Sequence, residues 1–326
     1  MCLLVLRQII LTNEPYVCII AIVSVVLEFF FLEGDMRAYL IDFFKTFEYT
    51  KSDAAVLLDA YDRIMQNEKT RELWAQALAI YDQSIKCNYP EITAKADEVA
   101  RELYLHEYTT ELLVFICMSK RLKTEYEARG IDGEIYYNSL LDLRYKLEEC
   151  KLVKGIVGSF VALWFCGFFD LTRFALGRLQ FEMVNFGRSY EKDGLVLTPE
   201  SRVINVHIPR TGTPMDAKSC DEAFARAKVF FSEQTGEVCA FVCHSWLLYP
   251  EHEHMLLHDS NVYKFMKRFD IYHSGTSKDR GNLWRLFDTD EKRWDRLPAD
   301  SSLRRAYVEQ LKNGGQVGWG HGVFVL

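Results

Sequence analysis

Between Arg202 and Leu248 the chain runs strand, polar loop, helix, strand without interruption, and that order commits this half to a mixed α/β fold around a sheet. RVINVHIP ends a strand at Pro209. Pro209 to Ser219 is polar with one glycine, CDEAFARAKVFF has helical spacing, and Val238 to Leu248 is an apolar run read as a buried strand. A helix opening on Ser219 or Asp221 would leave unpaired amides and the positive end of its dipole facing the loop. Such an end suits an anion, so a phosphate-bearing cofactor is the first expectation. Arg210, Thr211, Gly212, Thr213, Lys218 and Ser219 could converge on it. Asp216 and Asp221 argue the other way, and a plain solvated loop before a capped helix is the competing reading.

The rest of the chain divides in two. Residues 35–165 carry helical punctuation and no strand signals, which predicts an all-α domain. Ser52 is read as the cap of a segment with Ala55, Leu57, Leu58 and Tyr61 on one face, and further helices are expected at 69–85, 91–105, 107–128 and from Asp132 onward. Pro90 suits a first turn and Gly130 a stop. Residues 166–326 read as the α/β domain, with strands in LGRLQFEMVNFG, LVLTPESRVINVHIP, 238–248, 269–273, 283–287 and 318–326, and helices at 221–234, 260–268 and 303–312.

With 326 residues, 49% of them hydrophobic, the chain can bury two ordinary cores. A net charge of −7 offers no basic face for nucleic acid, which is not expected as a partner. Nine cysteines, an odd number without a Cys-x-x-Cys motif, suggest reduced, mostly buried thiols of a cytoplasmic protein. Residues 1–34 form an apolar extension with only Arg7, Glu14, Glu28 and Glu33 charged. Its stretch from Tyr16 to Leu32 lies at the short limit for a membrane span. Three readings stand: an anchor, a buried helix, or an extension upstream of a start at Met36, the last being favoured. A membrane is a partner only under the first.

Four groups of residues could carry chemistry. His207, on the strand entering the loop, shares a face with Asn205 and Val203 and is a candidate base or a hydrogen-bonded core histidine. His244 cannot pair with Cys243 or Ser245 in its own strand, because neighbouring side chains point to opposite faces, but it could share a cleft with His207. Glu182 is a carboxylate in an apolar strand, placed on one face with Gln180 and Arg178, which makes that face polar. Glu251, His252, Glu253, His254 and His258 lack a zinc-binding order and read as a solvated turn, so no metal is expected.

LGRLQFEM, VINVHIPRTG, CDEAFARAKVFF and CHSWLLYP, preceded by RGIDGEIYYNSLLDLRYKLEE, occur in one order that resembles an acyltransferase family. In that family a helical N-terminal domain precedes a GNAT-like C-terminal domain. The resemblance covers nearly everything after Met36. It implies acyl-CoA or acetyl-CoA as co-substrate, with Pro209 to Ser219 as the pyrophosphate loop and the pantetheine arm between the strands at 202–208 and 238–248. It further implies transfer to a small-molecule or peptidyl acceptor, an amine, by a base (Glu182 or His207), with His244 as base or polariser and Tyr249 or Tyr263 as acid. A non-catalytic ligand-binding or protein-interaction module is the alternative. The loop departs from the family pattern, since Pro214 removes an amide and only one glycine is present.

Overall fold

The computed structural model describes residues 36–235, 238–277 and 283–326. The expectations for residues 1–34 lie outside them. The helical region comprises α1, described over 36–46, then α2 (Lys51–Gln66), α3 (Glu68–Ser84), α4 (Tyr89–Leu103), α5 (Glu107–Ala128) and α6 (Gly133–Lys154). Helix starts follow side chains able to take an orphan amide: Thr50, Asn67 and Asp132 accept from the amides of Asp53, Thr70 and Glu134. The cap of α2 is thus Thr50 rather than Ser52, whose hydroxyl instead meets that of Thr50 at 3.0 Å. Pro90 sits in the first turn of α4, where its missing N–H costs nothing. Helix α5 runs through the centre, with every residue from Leu112 to Ser119 buried.

A 3₁₀ turn (Ala162–Phe165) and the short α7 (Cys166–Phe169) lead into the sheet. Its strands are β1 (Arg173–Leu176), β2 (Leu179–Asn185), β5 (Arg202–His207), β6 (Ala240–Ser245), β7 (Asp270–Ser277) and β8 (Val317–Val325), in the order β1-β2-β5-β6-β8-β7. A separate small hairpin joins β3 (Tyr190–Lys192) and β4 (Leu195–Leu197). All neighbours in the larger sheet are antiparallel except β5 and β6, which α8 (Ala217–Phe230) connects in parallel. The short α9 (His252–Met255), α10 (Asn261–Met266) and α11 (Leu283–Phe287), with α12 (Ser302–Lys312), complete the fold. Leu283 to Phe287 is therefore a helix and not the expected strand. Its buried Leu283, Leu286 and Phe287 have i, i+3, i+4 spacing, a signal easily lost in a five-residue apolar run.

Side chains alternate across the sheet, so each strand gives one set to the rear and one to the front. At the rear, Phe181, Phe241 and Phe324 surround Phe224 of α8, with ring centroids 5.9, 5.0 and 5.1 Å from it. This apolar layer is continuous with the helical core, one cluster running from Leu40 to Phe269. Helix α6 docks on the sheet through two buried polar links: the Ala175 amide donates to Ser139 Oγ at 3.0 Å, and Gln180 Nε2 to Asp142 Oδ1 at 2.9 Å. Among the described residues, no helix is long and apolar enough to cross a membrane.

Candidate active site

The front of the sheet is where polar residues collect. Gln180 and Glu182 of β2 stand opposite His207 and Asn205 of β5, and Arg173 of β1 stands opposite Glu182. Register alone thus sets Arg173, Glu182 and Asn205 in a row. Arg173 Nη2 donates to Glu182 Oε2 at 2.9 Å, while Asn205 Nδ2 and His207 Nε2 lie 3.1 and 2.9 Å from Oε1. Since the carboxylate is acceptor-only, His207 carries its proton on Nε2 and its lone pair on Nδ1. Trp164 fixes the other side of the ring edge-on at 4.9 Å. Its indole lies 3.7 Å from the Arg173 guanidinium, and its carbonyl accepts from Arg173 Nη1 at 2.7 Å.

These contacts set the protonation states. Burial pushes the Glu182 carboxyl up, but the hydrogen bond from His207, the charge of Arg173 and the bond from Asn205 outweigh it and hold the group at about 2. Glu182 is an ionised anchor rather than a carboxyl tuned upward by burial. For His207, burial pushes the imidazole down and Arg173 adds to this, while the bond to Glu182 opposes; the net direction is downward. A neutral imidazole oriented by a carboxylate is the arrangement of a general base.

A cavity of about 560 Å³ opens in front of His207. Its cause is topological, because β5 and β6 pair only at Ile204–Phe241 and Asn205–Val242 and part beyond them. His207 and His244, at matching positions on the two strands, both line the cavity. His244 stacks on His321 of β8 with centroids 4.0 Å apart, and burial, then Arg188 and His273, lower its pKa. Helix α6 supplies a further wall with Asp142, Lys146 and Glu149, three buried polar residues on one face of the helix. Lys146 Nζ and Glu149 Oε2 pair at 2.8 Å.

The structure redistributes several candidates. Arg178 is not on the strand face of Glu182: Gly177 (φ +80°) and Arg178 form the two-residue turn between β1 and β2. It reaches instead to the loop after β5, donating to the carbonyls of Pro209 at 3.0 Å and Pro214 at 3.4 Å. Within that loop Arg210 lines the cavity, paired with Asp288, which also binds Arg304. Thr211, Gly212, Thr213, Lys218 and Ser219 lie outside the lining. Helix α8 is capped by Asp216, not by Ser219 or Asp221, and the Asp216 carboxylate takes the Ser219 amide at 2.8 Å.

Tyr249 and Tyr263 also stand outside the cavity. Tyr249 is buried against Gly318, and Tyr263 donates to Glu253 at 2.8 Å. The turn read as solvated contains a buried histidine, His252, whose Nε2 is 2.6 Å from the Tyr307 hydroxyl. No group of three His, Cys, Asp or Glu able to hold a metal ion occurs among the described residues. Sequence reasoning did not find Arg173, Trp164 or the α6 wall. The wall had a signal, since Asp142, Lys146 and Glu149 interrupt Leu140, Leu143 and Leu147 at i, i+4, i+7.

Residues 38–171 match the family model of an N-acyltransferase N-terminal domain, and residues 173–324 that of a GNAT-like C-terminal domain. The chain belongs to the acyltransferase family built from these two domains. No curated protein matches its sequence. Solved structures similar to it include an acyltransferase with decanoyl-CoA and teicoplanin, one with CoA and 10C-teicoplanin, and a mutant acyltransferase with octanoyl-CoA. Each is 23% identical, with a TM-score of 0.69 and 87% of both chains covered. At that identity the likeness is one of fold. It agrees with the helical region followed by a mixed sheet described above.

Proposed function

We propose that this protein transfers an acyl group from acyl-CoA to an amine, with His207 as general base. The observation that carries the reading is the Glu182–His207 pair facing the cavity where β5 and β6 part. Support for the donor comes from the family and from fold relatives crystallised with CoA and its acyl esters. Two of them were crystallised with teicoplanin or 10C-teicoplanin, and a small-molecule or peptidyl acceptor suits the same fold.

In this reading the thioester lies between β5 and β6, and Arg178 and Arg210 stand near the loop end of the cavity to meet the phosphates. His207 Nδ1 takes a proton as the amine nitrogen attacks the thioester carbonyl. Strand amides beyond Asn205 and Val242, where the β5–β6 ladder ends, hold the oxyanion. The C–S bond then breaks, and the imidazolium returns its proton to the departing thiolate. No tyrosine is needed, in keeping with the positions of Tyr249 and Tyr263.

One observation favours the rival, a non-catalytic module: the Asp216 carboxylate occupies the helix end a pyrophosphate would use. Thermal shift separates the two. CoA, acetyl-CoA and longer esters should raise the melting temperature, since ligand at 100 times its Kd adds about 2.7 kcal/mol; no shift at millimolar concentration refutes the donor assignment. With binding in hand, His207→Ala should slow thiol release to an amine panel by about 10²-fold or more while leaving CoA affinity within about threefold. Equal losses in both would make His207 structural.

A further inference from the structure

Val262 and Leu303 line both this cavity and a smaller pocket of about 80 Å³ that adjoins it between the segment after α9 and the starts of α10 and α12. Met255, Leu256, Leu257, Val262 and Leu303 form most of its wall, and no charged side chain lines it. Arg304, the cation next in sequence, is held by Asp288 and Asp300. At the rim Leu257 is 70% exposed, an apolar side chain left in water beside an apolar hollow. The two adjoining spaces are therefore polarised, with Arg178 and Arg210 lining the larger and, in the smaller, five apolar side chains with Ser260 and Ser302 as the polar ones.

We propose that the small pocket receives the distal carbons of the donor's acyl chain, so that medium-length acyl-CoA is preferred to acetyl-CoA. This rests on the acyl-CoA reading of the larger cavity. A cavity of about 150 Å³ takes a benzene ring, so about 80 Å³ accommodates roughly three carbons. An acetyl group is too short to leave the larger space and enter the smaller one. Each methylene that does enter should tighten binding by about fourfold.

Isothermal titration of the full chain with CoA and its acetyl, butyryl, hexanoyl, octanoyl and decanoyl esters tests this. Affinity should be level for the shortest chains, rise by about tenfold or more over the carbons that fill the pocket, and then flatten. Leu257→Asp and Ser302→Asp, at exposed positions, should each collapse the ratio of decanoyl to acetyl affinity, whereas Leu257→Phe should preserve it. If CoA binds but chain length has no effect, or the gradient survives both charged variants, the pocket assignment is wrong while the donor reading stands. Failure of every ester and of CoA itself overturns both.

Discussion

A carboxylate on a half-buried strand stays ionised only if its oxygens are answered, and Glu182 meets Arg173, Asn205 and His207 at 2.9 to 3.1 Å. Its pKa, held at about 2, lies below that of an unfolded carboxyl, so its contribution to stability is present at neutral pH and lost as pH falls through that value. Glu182→Gln should cost about 3 kcal/mol at pH 7 by denaturant titration, and the gap from wild type should narrow as pH drops from 5 toward 3. A gap that is constant with pH would mean the cost is steric. The rate should fall on the acid side with a midpoint below the ordinary histidine value, because burial and Arg173 lower the His207 pKa. Removing the Glu182 bond, which raises it, should move that midpoint lower still. The pairing of Asn205 with His207 was legible from strand alternation. Arg173 was hidden because placing Arg178 in the strand displaced the turn that sets Arg173 opposite Glu182.

At the scale of elements, the entrance to α8 and the glycines of β8 matter most. Asp216 caps α8 with a negative charge at the end that a donor phosphate would approach. Asp216→Ala should therefore lower the melting temperature, through loss of the cap, yet tighten CoA binding severalfold, two opposite changes read by thermal unfolding and titration. Weaker CoA binding would place the phosphates elsewhere. On β8, a Cβ at Gly320 would fall 2.1 Å from the Leu248 carbonyl oxygen, so the 3₁₀ turn Trp246–Leu248 can lie on the strand only over glycine. Gly320→Ala should cost about 3 kcal/mol or more in denaturant unfolding. It should also weaken donor binding, because Trp246 and Leu247 of that turn line the cavity.

Over the whole molecule the helical region and the sheet share one core, and the buried Gln180–Asp142 and Ala175–Ser139 bonds tie α6 to the first hairpin. They should unfold together. Far-UV circular dichroism, dominated by α1 to α6, and the fluorescence of a variant retaining only Trp319 should give coincident denaturant transitions. Separate midpoints would show two independently stable parts. The sequence by itself determined the order of helices and strands apart from Leu283 to Phe287, the break between the helical and sheet regions, and the two polar strand faces, one with Gln180 and Glu182 and one with Asn205 and His207. All of these are written in local periodicity and in the stops of proline and glycine. Tertiary structure alone decided which residue answers Glu182, that Arg210 turns to Asp288 78 residues away, and that the Asp142 face of α6 walls the cavity. A repeat along the chain records which face of an element is apolar. Which element covers that face, and in what register, is settled only by packing across distant parts of the chain.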